Sequence, residues 1–148
     1  MRTVLKVVLM AAVMAAPMSA MSDDEGEVKY RKGVMKAISG HAGAIAQIAN
    51  GKVSHDAALM GHAHALVEVS KQVSAAFKNK AMGHKSTADG KVWSDWAGFD
   101  GKAGDLERAA LAVATAAKSG PGAVKGKLKD LFATCKGCHK DYRVKKKK

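Results

Sequence analysis

Cys135, Lys136, Gly137, Cys138 and His139 bring two thiols and an imidazole together in one short stretch. On a helix, positions three and four apart share a face, so both sulfurs and the His139 ring project to one side. Cys-x-x-Cys-His is the attachment signature of c-type haem: two thiols close thioethers onto two vinyl groups, and an imidazole nitrogen reaches the iron. Three other chemistries use parts of the same set. A thioredoxin-like dithiol wants its first cysteine at a helix start after a strand, and no strand pattern precedes Cys135. A structural zinc site wants four ligands, and only three are at hand here. A plain disulfide leaves His139 without a purpose. One covalently bound haem c is the expectation.

The N-terminus agrees with that chemistry. Arg2 and Lys6 flank the start of an apolar run from Val4 to Ala16, followed by Pro17, small residues and the acidic cluster Asp23, Asp24, Glu25. This is the order of a secretory signal peptide, residues 1–22, with cleavage after Ala20 or Ser22. The run is short for a bilayer and no second one occurs, so the sequence predicts an exported, periplasmic protein without stable membrane insertion. Export also places the cysteines where haem is attached in the bacterial pathway this signal implies.

The elements that must position the motif are helical. Aromatics make up only 5% of the chain and alanine crowds every segment, a mix that favours close-packed helices over sheet. A first stripe runs Val28, Arg31, Met35, Ile38, Ala42, Ile45, Ala49 and stops at Asn50 and Gly51. Ser54 is the expected N-cap of a second, with stripe Leu59, His62, Leu66, Val69, Val73, Phe77. Residues 79–90 lack periodicity and are expected to be a loop. The third stripe runs Trp96, Phe99, Ala103, Leu106, Ala110, Val113, Ala117 and ends at Gly120 and Pro121. The last, Val124, Leu128, Leu131, Cys135, Cys138, Tyr142, has the alternating spacing of a bundle seam. Four such helices with short connections predict an all-α, antiparallel four-helix bundle over residues 23–148, with a basic tail from Arg143 and no second domain.

A haem motif near the C-terminus of a four-helix chain resembles the class II c-type cytochromes, the cytochrome c' family. Lys29-Tyr30-Arg31 in the first helix, Val92-Trp93-Ser94-Asp95 before the third and Asp141-Tyr142-Arg143 after the motif agree with it. The resemblance implies that His139 is the proximal ligand, that Arg143 lies close to it, and that Arg31 lies near the haem edge and propionates. A guanidinium suits that place, since it keeps its charge and pairs well with carboxylates. Many family members place an apolar residue four after the early arginine. That leaves five-coordinate iron selective for small gases such as nitric oxide. Here that residue is Met35, and a low-spin branch of the family ligates through a first-helix methionine.

Met35 stands about ten residues, or roughly 15 Å, into its helix, and His139 about one turn from the end of its own, so both lie at one end of an up-down-up-down bundle. Methionine with histidine raises the potential and suits electron transfer. Met82 and His84, on the loop returning to that end, are rival ligands. His55, Met60, His62 and His64 belong to the opposite end, and His41 lies off the Met35 stripe as a surface or interface residue. Trp93 and Trp96 are expected beside the macrocycle. The function expected is single-electron carriage, with binding of nitric oxide or carbon monoxide at an open iron as the alternative. No acid–base pair or nucleophile suggests an enzyme.

Charge bears on partners. Twenty-five Lys and Arg against thirteen Asp and Glu give +12. The tail residues Arg143 and Lys145 to Lys148 suit an acidic redox protein encountered by steering. A nucleic-acid role does not fit an exported chain whose basic run lacks interleaved aromatics. The Ala/Gly-rich stretch from Ala37 to Ala49 allows the close approach of a homodimer through the first helices, as in many family members.

Overall fold

The computed structural model describes residues 23–83 and 85–144. The expected signal peptide and its cleavage sites, His84 and the tail lysines Lys145 to Lys148 lie outside the described residues.

Helix α1 spans Asp24–Ala49 and is capped by the Asp23 carboxylate, which accepts from the Gly26 amide. Asp24, Glu25 and Glu27 fill its first turn, where the helix dipole favours negative charge. The predicted stripe is buried apart from Met35, which is partly exposed, and Gly51 turns the chain back at a φ of 65° that glycine adopts without strain. Ser54 is not the cap expected of it. A 3-10 turn, Asp56–Ala58, intervenes without a side-chain cap, and α2 runs Leu59–Ser70.

The stripe predicted as one helix to Phe77 is broken. Ser70 is buried and its hydroxyl donates to the Leu66 carbonyl at 2.7 Å, a back-bond of the kind that bends helices. The Gln72 amide then reaches Val69 O, three residues back, and α3 resumes at Val73–Phe77. Both pieces still bury their stripe, so the break alters direction and not the core.

A short helix α4, Lys91–Ser94, leads into α5, Trp96–Ala117, whose N-cap Asp95 accepts from the Gly98 amide at 3.3 Å. Gly120, at φ 90°, ends the connection, and Pro121 opens α6, Pro121–Lys125. Helix α7, Leu128–Tyr142, carries the cysteine motif.

The four long stripes form an antiparallel bundle around one core of Ile38, Ile45, Leu66, Phe99, Val113 and Leu131 among others. Helix α1 packs on α2, α2 on α5 and α5 on α7 along their lengths. The fourth seam differs. Helix α1 meets α6 there but scarcely meets α7, so the bundle is parted beside the cysteine motif. After α7 the chain extends, and Arg143 forms a lone antiparallel bridge with Ala88. Asp89 donates to Tyr142 O at 2.9 Å and Val144 to Thr87 O at 3.0 Å, which clips the predicted 79–90 loop to the end of α7.

Candidate functional site

Cys135 and Cys138 lie half-buried on one face of α7, not joined in a disulfide, and both pack against the core. Burial raises the Cys135 pKa above its ordinary value. Burial also raises Cys138, with Lys102 opposing the shift. A buried thiol inside a helix is a poor thiolate, the reverse of the activated cysteine of a dithiol oxidoreductase. His139 stands one residue on at the solvent-facing rim. Burial and then the Arg143 charge lower its pKa, so the neutral imidazole that a metal needs is favoured. Arg143 therefore lies within electrostatic reach of His139.

Across the parted seam, Arg31 is only 3% exposed. Its Nη2 donates to the Ala81 carbonyl, and its guanidinium lies 5.3 Å from the centroids of both Phe77 and Trp93. Trp93 is fixed in turn by its Nε1, which donates to Phe77 O at 2.8 Å. Burial lowers the Arg31 pKa, with Glu27 and Asp24 opposing, yet a guanidinium keeps its charge in any protein setting. Among the described residues its Nη1 is buried with no hydrogen-bond partner. A buried charged donor left idle is costly. It fits a site whose remaining partner is an anionic group on a bound molecule.

Met35, one turn beyond Arg31, is partly buried against the core, whereas Met82 is 41% exposed. Trp96 packs on Phe99 at 5.6 Å, Phe99 on Phe77 at 5.1 Å, and Tyr142 meets Phe99 edge-on at 5.4 Å. These rings line the end of the bundle between Arg31 and the last turn of α7. Tyr142 Oη donates to Asp95 at 2.8 Å, and Lys91 Nζ sits 3.7 Å from the same carboxylate and 5.2 Å from the Tyr142 ring centroid.

The structure thus brings Arg31, Trp93, Cys135, Cys138, His139 and Arg143 to one end of the bundle, with Met35 on the facing helix. The sequence did not reveal the Ala81 carbonyl and Phe77 as partners of Arg31, or Asp95 as the partner of Tyr142. Tyr142 lies on the seam stripe, and that was the one available signal.

The family model described as Cytochrome C' matches residues 26–143. The chain belongs to the cytochrome c' family. A cytochrome c' of Cereibacter sphaeroides is 36% identical over 99% of this chain and all of its own. A cytochrome c-556 of Agrobacterium fabrum is 34% identical over 82% of this chain and 83% of its own. Among solved structures, the nitric oxide complex of a substituted cytochrome c' from Alcaligenes xylosoxidans superposes with a TM-score of 0.77 at 27% identity, covering 85% of this chain and 99% of that one. As a cytochrome c', the protein carries covalently bound haem c near its C-terminus, and the idle Arg31 donor and the two cysteines fit such a group. Among the described residues no helix is long and apolar enough to cross a membrane.

Proposed function

We propose that the protein is an exported, periplasmic single-electron carrier. Haem c supplies a one-electron iron couple. In this reading Cys135 and Cys138 hold it through thioethers, His139 ligates the iron from α7, and Met35 ligates from α1. Arg31 would offer its Nη1 to a propionate, and burial, with the Arg143 charge adding to it, would favour a neutral His139. The observation that carries the reading is the placement of Met35. It is a thioether partly buried against the core on α1, one turn from the guanidinium of Arg31. A soft thioether is a competent haem ligand and raises the potential.

Lys102 near Cys138, together with Lys136, Lys140 and Arg143 adjacent in sequence, outnumber Asp141 around the motif, and this net positive charge supports encounter with an acidic redox protein. Gly33, Ala37 and Gly40 lie exposed along α1, a surface that supports pairing of two copies.

The deciding experiment compares absorption spectra of the ferric and ferrous protein with those of Met35→Ala. A weak long-wavelength charge-transfer band, present in the ferric protein and lost in the variant, is the expected result. A high-spin spectrum indifferent to the substitution overturns methionine ligation.

The second reading, capture of nitric oxide or carbon monoxide at an open sixth position, is favoured by the likeness to a solved nitric oxide complex. It predicts that high-spin spectrum, together with stoichiometric gas binding.

A further inference from the structure

His41 on α1 and His62 on α2, 21 residues apart in sequence, meet through their ring edges, with their Nδ1 atoms 3.1 Å from one another. Both rings are half-buried, tilted by 53°, with centroids 5.4 Å apart. In the metal-free protein one ring must donate and the other accept, so a single proton sits between two nitrogen lone pairs. The same spacing suits a larger cation. Two nitrogens bonded to one ion at about 2.0–2.1 Å stand about 2.9–3.4 Å apart, for angles between a right angle and the tetrahedral value. Small rotations of the two rings turn both lone pairs onto one ion.

The surroundings leave room for the rest of a coordination sphere. Each histidine follows a glycine, Gly40 and Gly61, and a Cβ built on either meets nothing within 4 Å. Both imidazoles are only half-buried, so water reaches the pair. The two ligands come from the packed α1–α2 seam, so the helices and not a loop fix their separation. Among the described residues no group of three or more His, Cys, Asp or Glu gathers into a metal-sized cluster, so the remaining positions fall to solvent.

We propose that His41 and His62 form a second metal site, which takes one exchangeable divalent late transition ion, such as zinc, through their two Nδ1 atoms. Imidazole nitrogens suit this class of ion, and a sphere completed by water marks an exchangeable site. The site is separate from the haem and needs none of its residues. Binding through both Nδ1 atoms moves the shared proton, by way of solvent, to the Nε2 of the ring that donated it.

The test is calorimetric titration of zinc into the haem-loaded protein, where His139 is engaged. His41→Gln, His62→Gln and the exposed His64→Gln serve as variants, with the Soret band and helical circular dichroism confirming that each is folded. The expected result is one zinc per chain in the parent and in His64→Gln. Loss of an outer-shell partner alone costs about 10- to 100-fold in metal affinity, so each pair variant should bind at least about tenfold more weakly. Removing both histidines should abolish the event. Equal binding in all variants, or no binding by the parent at millimolar zinc, overturns the proposal and leaves the pair a hydrogen bond only.

Discussion

The Tyr142 phenol donates a 2.8 Å hydrogen bond to the Asp95 carboxylate, joining the last turn of α7 to the N-cap of α5 across 47 positions of sequence. It lies one turn beyond His139, so the end of the helix that carries the motif is tied to the start of another. Burial, and then the bond to Asp95, push Tyr142 up to about 12, while the same bond, more than any other influence, holds Asp95 below 3.8. The folded state thus favours a neutral phenol and an ionised carboxylate.

Stability should follow both shifts. The Tyr142 contribution is complete below pH 10, its ordinary value, and is lost as the pH climbs towards 12. The Asp95 contribution is present above pH 3.8 and is lost as the pH falls through the lowered value. Thermal midpoints measured from pH 3 to 12 should fall at both edges. In Tyr142→Phe the midpoint should be lower between them and the alkaline fall shallower. Superimposable profiles would remove the bond from any stabilising role.

Two glycines of α5, three residues apart, should respond with opposite signs. A Cβ at Gly98 would collide with the Tyr142 hydroxyl and the Asp95 carboxylate, while one at Gly101 meets open space. Overpacking costs about 1–3 kcal/mol, more than the roughly 0.5–1 kcal/mol that alanine gains over glycine inside a helix. Urea denaturation should show Gly98→Ala destabilised and Gly101→Ala stabilised by that smaller amount.

Arg31 offers a separation of charge from hydrogen bonding. Arg31→Gln removes a charged donor from a buried site, and about 1.5–3 kcal/mol of stability should go with it. If Arg31 lies near the haem edge as proposed, loss of its charge should also favour the oxidised form, so the midpoint potential should fall. Arg31→Lys should recover most of the potential but little of the stability, because an ammonium lacks the planar fork. Potentiometry and urea titration on the same three proteins decide it. A potential unmoved by Arg31→Gln would place the guanidinium away from the iron's field.

Electron exchange with an acidic redox protein should slow as salt rises, since Lys102, Lys136, Lys140 and Arg143 leave a net positive charge around the motif. Stopped-flow rates across ionic strength would show it, and Lys136→Glu should flatten the slope. A rate independent of salt would argue against steering.

The stripes of α1, α5 and α7 were legible because helical periodicity and burial are the same fact seen twice: Ile38, Ala42 and Ile45 recur at the spacing that faces the core. The motif was legible because Cys135, Cys138 and His139 are neighbours in sequence. The break at Ser70 was not, since a back-bonding serine on an apolar stripe has the same pattern as any tolerated small residue. Ser54 has the right chemistry for a cap, yet the 3-10 turn that follows starts at Asp56 without using it. Pairings such as Arg31 with Ala81, His41 with His62 and Tyr142 with Asp95 join residues many positions apart, and no local spacing encodes them.

The α1–α2, α2–α5 and α5–α7 seams are packed by this chain's own side chains, whereas α1 and α7 scarcely touch. A group held covalently on α7 would therefore serve as part of the packing between these two helices, and α7 is the helix whose hold on the bundle should depend on it most.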